Sequence, residues 1–168
     1  MLELRGVSKR FGGVVATDDV TLEIARGQVH ALIGPNGAGK TTLIGQISGA
    51  LPTDSGRILF NGAEVTNLAA HARVAAGLAL ATRPQLVLLD EPMAGMGPQD
   101  SRAIIELIER IRASVTVLLV EHDMDAVFRL ANRISVLVSG RVIATGAPAT
   151  IRADPEVRRA YLGEELAA

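Results

Sequence analysis

The chain has 168 residues, a formal net charge of −1 at pH 7 and no cysteine. That length holds one domain with a sizeable core; the missing cysteines exclude disulfides and thiolate metal sites, and the lack of a basic block argues against a nucleic-acid surface. Hydrophobic residues make up 48% but aromatics only 2%, so the core is aliphatic.

The start, "MLELRGVSKRF", alternates and carries charge early, unlike a signal peptide. It reads as a strand, and "VTLEIA" as a second one turning back on it. "QVHALIG" is apolar throughout, as a strand buried on both faces is. It leads into "GPNGAGKTT" and a helix through about Ser48. "GRILFNG" predicts a strand closing on an Asn-Gly turn. From Thr66, "TNLAAHARVAAG" predicts a helix capped by Thr or Asn and stopped by Gly77. "QLVLLDE" is a buried strand, and "PQDSRAIIELIERIR" an amphipathic helix with Pro98 at its start and Ile104, Ile108 and Ile111 on one face. "VTVLLV" is the longest kind of apolar run present, a buried strand far too short to span a bilayer. "DMDAVFRLA" predicts a helix, "RISVLVSGRVIATG" two strands around Ser139-Gly140, and the tail two short helices interrupted by Pro155. Alternating strands and helices give an α/β fold with a largely parallel sheet and an antiparallel flank.

"GPNGAGKT", from Gly34 to Thr41, fits G-x-x-x-x-G-K-[ST] between a predicted strand and a predicted helix. Gly34, Gly37 and Gly39 let backbone N–H groups approach phosphate oxygens; Pro35, Asn36 and Ala38 complete the loop, and Thr42 continues into the helix. The helix N-terminus adds free amides and a positive dipole end. Lys40 is a compact charge that reaches the β- and γ-phosphates better than a planar guanidinium would. Of 17 basic residues only Lys9 and Lys40 are lysines, so that choice is informative. Thr41 offers a hydroxyl to Mg²⁺. The pattern arises by chance in roughly 1% of chains this long or fewer.

"LVLLDE" puts Asp90 and Glu91 at the C-terminal end of a buried strand, where ligands sit in open α/β sheets. Asp90 suits Mg²⁺, directly or through water, and Glu91 can polarise an attacking water. His122 ends the next apolar strand in "LLVEHD", within reach of a γ-phosphate or its water. His30 and His71 have no such company and read as structural.

Taken in order, "SKRFGG", "GPNGAGKTT", "ATRPQLVLLDEP", "LLVEHDM" and "SGRVIATG" resemble the nucleotide-binding subunits of ABC transporters across most of the chain. "MAGMGP" and "IRADPEVRRAYLG" resemble more narrowly the branched-chain amino acid importer group. The resemblance implies a P-loop NTPase core with an antiparallel β subdomain, bound ATP and Mg²⁺, and ATPase activity that energises solute uptake. It implies that Phe11 stacks on adenine, the alternative being a core Phe on its strand, and that His122 is the switch histidine. Gly97 stands where the family's D-loop carries Asn or Asp. The implied partners are a second nucleotide-binding subunit, identical or not, and membrane permease subunits, which would hold the cytoplasmic chain at the inner face of the membrane.

One part of the family pattern is missing. After "GLA" the family continues into a Q-loop, an α-helical subdomain and an LSGGQ signature. Here no Gln lies between Gln46 and Gln85, and Ser-Gly-Gly occurs nowhere. Residues 1–168 read as a single ATP-binding domain with an internal deletion near 78–82, most of the permease-coupling surface being lost with it. Three origins stay open: an omitted mobile segment, a deletion that leaves the ATP-binding core, or a chain completed by an intact relative. In the family the signature of one subunit faces the phosphate loop of the other. The alternative to an active ATPase is therefore a nucleotide-binding module with little turnover.

Overall fold

A computed structural model describes residues 1–78 and 84–160. Apart from Leu78, the junction expected near 78–82 lies outside the described residues.

The chain opens with β1 (Leu2–Phe11) and β2 (Val14–Ile24), antiparallel as their alternation predicts. β3 (Val29–Ile33) is buried at every position and runs through the glycine loop into α1 (Lys40–Ser48). β4 (Ser55–Phe60) joins the other edge of β1 and turns at Asn61-Gly62, both at positive φ, into β5 (Ala63–Glu64). Together β2-β1-β4-β5 form one antiparallel sheet.

α2 (Ala70–Ala75) is shorter than its sequence pattern predicts. Its N-cap is Ala69, not Thr66 or Asn67. The Thr66 hydroxyl is committed elsewhere: it accepts from the Ile58 N–H at 2.9 Å and donates to Glu64, closing the β4-β5 corner instead of capping a helix. A hydroxyl held by such partners is turned away from the helix start and does not cap it.

β6 (Leu86–Asp90), α3 (Pro98–Ile111), β7 (Thr116–Val120), α4 (Met124–Leu130), β8 (Arg133–Val138) and β9 (Arg141–Gly146) follow, then α5 (Pro148–Ala153) and α6 (Pro155–Ala160). The second sheet has the order β6-β7-β3-β8-β9, parallel except for β9. α1 is buried between the two sheets, where Leu43 and Ile47 meet Leu2 and Leu4 of β1 and Leu118 and Val120 of β7. The outer face of the second sheet is covered by α3 and α4, with Ile105, Ile108, Ala126 and Leu130 inward, and by α5 and α6 through Ile151 and Val157. Each fully buried Leu or Ile contributes about 1.5–3 kcal/mol, so a core that is aliphatic apart from Phe60 suffices.

Leu78 makes a single parallel bridge to Leu86, and both are fully buried. Among the described residues no helix is long and apolar enough to cross a membrane.

Candidate nucleotide-binding site

The glycine loop leaves β3 and curls over its C-terminal end. Gly34 sits at φ 153, where a Cβ would lie 2.0 Å from the Leu137 carbonyl oxygen. Gly39, the N-cap of α1, has φ 104, and a Cβ there would lie 2.0 Å from the Ala16 carbonyl oxygen. Neither site admits any side chain. The loop is thereby pressed against β8 on one side and β2 on the other, and Gly140 N–H donates to the Ala38 carbonyl at 2.9 Å to fix its crest.

α1 has no side-chain cap at its N-terminus, so its first amides stay free for an anion. Lys40 is nearly buried, and its Nζ donates to the carbonyls of Gly34 at 2.7 Å and Pro35 at 3.1 Å. The ammonium thus already lies inside the loop. A cleft of about 240 Å³ is lined by Val14 to Ala16, Asn36 to Thr42 and Glu91. Sequence reasoning missed the Val14–Ala16 wall, because only the fold brings β2 against the loop.

Asp90 ends β6 exposed, opposite Val120 of β7. Glu91 has φ 49, the left-handed region that non-glycine residues seldom occupy, and its N–H donates to the Val120 carbonyl at 2.9 Å. Such strain is held at functional positions by the surrounding structure, and here it turns the Glu91 side chain into the cleft wall. His122, at the end of β7, is exposed and stands outside that wall. Phe11 is 48% exposed, so it is not a core residue. It pairs with Val14 across the β1-β2 turn, beside the cleft and not in its lining.

Glu121 is a second residue missed by the sequence. Its carboxylate is fully buried and accepts N–H bonds from Met93 at 3.0 Å, His122 at 2.9 Å and Asp123 at 3.4 Å. It ties the turn after Glu91 to the turn carrying His122. The only sequence signal is a carboxylate directly after an apolar strand, which by itself reads as solvated.

His30 is structural, as its isolation predicts. A neutral ring protonated at Nε2 accepts from Gln28 at Nδ1 and donates to Ser135, whose hydroxyl donates in turn to Thr145. Burial, with the Arg133 charge adding to it, pushes its pKa from 6.5 to about 4. His71 is exposed on α2. Gly97 is the N-cap of α3 and supplies no capping side chain.

The ABC transporter family model matches residues 17–75, a span holding the whole glycine loop and α1. The model of the branched-chain amino acid ATP-binding cassette transporter family matches 141–167. The chain is also 28% identical to the high-affinity branched-chain amino acid transport ATP-binding protein BraF of Pseudomonas aeruginosa, over 98% of each. Its likeness is to ABC transporter ATP-binding proteins over nearly the whole chain. The high-affinity branched-chain amino acid transport ATP-binding protein LivG of Escherichia coli is 27% identical to this chain at the same coverage. Both alignments run over 250 positions, whereas this chain has 168 residues, so each relative carries a long stretch without a counterpart here. In fold the domain superposes on a nucleotide-free ATP-binding cassette with a TM-score of 0.90 at 23% identity, covering 98% of this chain and 99% of that one. A dimeric ATP-binding cassette bound to ADP and Pi gives a TM-score of 0.78 at 17% identity, covering 88% of this chain and 99% of that one.

Proposed function

We propose that this domain binds MgATP at the glycine loop and descends from the ATP-hydrolysing subunit of an importer of the branched-chain amino acid type. The observation that carries the reading is the loop itself: two glycines with no room for a Cβ, a helix N-terminus without a cap, and the Lys40 ammonium already in place. Apart from Pro35, the residues from Gly34 to Gly39 offer backbone N–H groups to the phosphates, and Lys40 exchanges its carbonyl partners for phosphate oxygens. Thr41 and Asp90 are hard oxygen donors, exposed and few enough to leave room for phosphate oxygens and water, as Mg²⁺ requires. When bound, Mg²⁺ neutralises charge on the β- and γ-phosphates. Glu91 holds and polarises the attacking water, and His122 closes on the γ-phosphate side. Phe11 stacks on the adenine.

By family, two ATP-binding domains associate with each other and with membrane permeases. A second reading, little turnover by this chain alone, is favoured by the bridge between Leu78 and Leu86. Parallel neighbours need a crossover of about a dozen residues or more, yet only seven separate these two. The relatives' longer alignments leave length enough for a helical subdomain and signature, which this reading assigns to the interval between 78 and 86. Without signature amides facing the γ-phosphate, a large electrostatic contribution to catalysis is lost.

Calorimetry tests the binding reading. The domain takes up MgATP, and Lys40→Ala abolishes the heat of binding; undiminished affinity in that variant overturns the site.

A further inference from the structure

Lys9 is one of the two lysines in the chain and has no part in the phosphate loop. It is nevertheless nearly buried, at 9% exposure. Its Nζ lies 5.6 Å from the centroid of the Phe11 ring and donates to Asp54 Oδ1 at 2.6 Å. The other oxygen of Asp54 accepts the N–H of Arg10 at 2.7 Å, and the Asp54 N–H donates to the Ser8 carbonyl. One carboxylate therefore fixes both the ammonium beside the ring and the backbone immediately before Phe11. The hydrogen bond from Lys9, then that from Arg10, holds the Asp54 carboxyl below its usual range, so that group is a carboxylate at neutral pH.

We propose that Lys9, anchored by Asp54, positions and polarises Phe11 as a platform for a purine base. This rests on the assignment of Phe11 to the base given above and adds two residues to it. A cation over an aromatic ring is attracted by its quadrupole, and the interaction strengthens as water is excluded. Lys9 occupies one side of Phe11, while the ring remains 48% exposed. The charge draws electron density toward the lysine and leaves the open face electron-poor. That face suits an electron-rich purine, whose stacking area also exceeds a pyrimidine's. Lys9 touches the ring and not the nucleotide, so it is a positioning residue.

The experiment is calorimetric titration of the full chain with MgATP and with magnesium tripolyphosphate, which has the charge but no base. Lys9→Met keeps the aliphatic stem and removes the cation. It is expected to weaken MgATP about three-fold and leave tripolyphosphate unchanged. Lys9→Arg restores the wild-type ratio. Phe11→Leu weakens MgATP about ten-fold, and Lys9→Met added to Phe11→Leu has no further effect, the two acting as one unit. Equal losses for both ligands in Lys9→Met, or an undiminished effect of Lys9→Met in the Phe11→Leu background, overturn the proposal. Wild-type protein that binds tripolyphosphate as tightly as MgATP overturns the base platform while sparing the phosphate loop. Failure to bind either ligand overturns the nucleotide reading as a whole.

Discussion

At the scale of single residues, position in the fold decides which polar groups are free to act. Lys40 and His30 are both buried, with opposite uses. The Lys40 ammonium is held by carbonyls that a phosphate can replace, whereas the His30 ring is locked into a hydrogen-bonded row ending at Thr145. That row has a pH signature. In the unfolded chain His30 takes up a proton below about 6.5, but the folded protein resists until about 4. Between those values protonation favours unfolding, so stability present at neutral pH is lost on acidification through this window, by up to roughly 3 kcal/mol. Urea unfolding from pH 7 to pH 4 should show the stability of wild type falling toward that of His30→Gln; a constant gap would refute the buried neutral ring. The loop from Gly34 to Thr42 was legible in the sequence because its chemistry is local: glycines, a lysine and a helix start in one stretch. Glu121, Lys9 and Asp54 were not, because Met93 lies 28 residues from Glu121, and Lys9 and Asp54 lie 45 residues apart in the chain.

Elements carry the next level of order. β3 and β7 read correctly as strands buried on both faces, since a continuous aliphatic run between turn signals has few other uses. The start of α2 was misjudged because Thr66 found a tertiary partner, a competition that no helix rule records. Arg73 shows how these elements are tied together. It is 2% exposed and lies on α2, yet its guanidinium donates to the carbonyls of Gln46 and Ile47 at the C-terminal end of α1, and to Thr66 and Leu68. α1 has no basic residue in its own last turn, so Arg73 supplies the charge that complements that end of the helix dipole. Arg73→Met fills the space but leaves four carbonyls without this donor. It should destabilise the domain by about 3 kcal/mol or more, read as a lowered urea midpoint. A midpoint within experimental error of wild type would reduce Arg73 to packing.

For the molecule as a whole, the proposed function carries a prediction about turnover. Steady-state phosphate release from the isolated domain is expected to be slow, and an intact homologous subunit should raise it by lending its signature. Glu91→Gln in this chain should remove that gain. Brisk release from the domain alone, insensitive to Glu91→Gln, would sink both the missing-half account and the water-polarising role. The α/β architecture and the antiparallel flank were readable from periodicity; the abutment of the two sheets around α1 was not, because it depends on close approaches such as Gly39 against Ala16. The scarcity of lysine has a consequence for the exterior. Nearly every surface cation is a guanidinium, and the two ε-amines are buried, one against Asp54 and one inside the glycine loop. Acylating reagents, and enzymes that acylate lysine, thus meet a coat with almost nothing to modify beyond the N-terminus. An adduct on Lys40 reports the opening of the glycine loop, and one on Lys9 the release of that amine from Asp54.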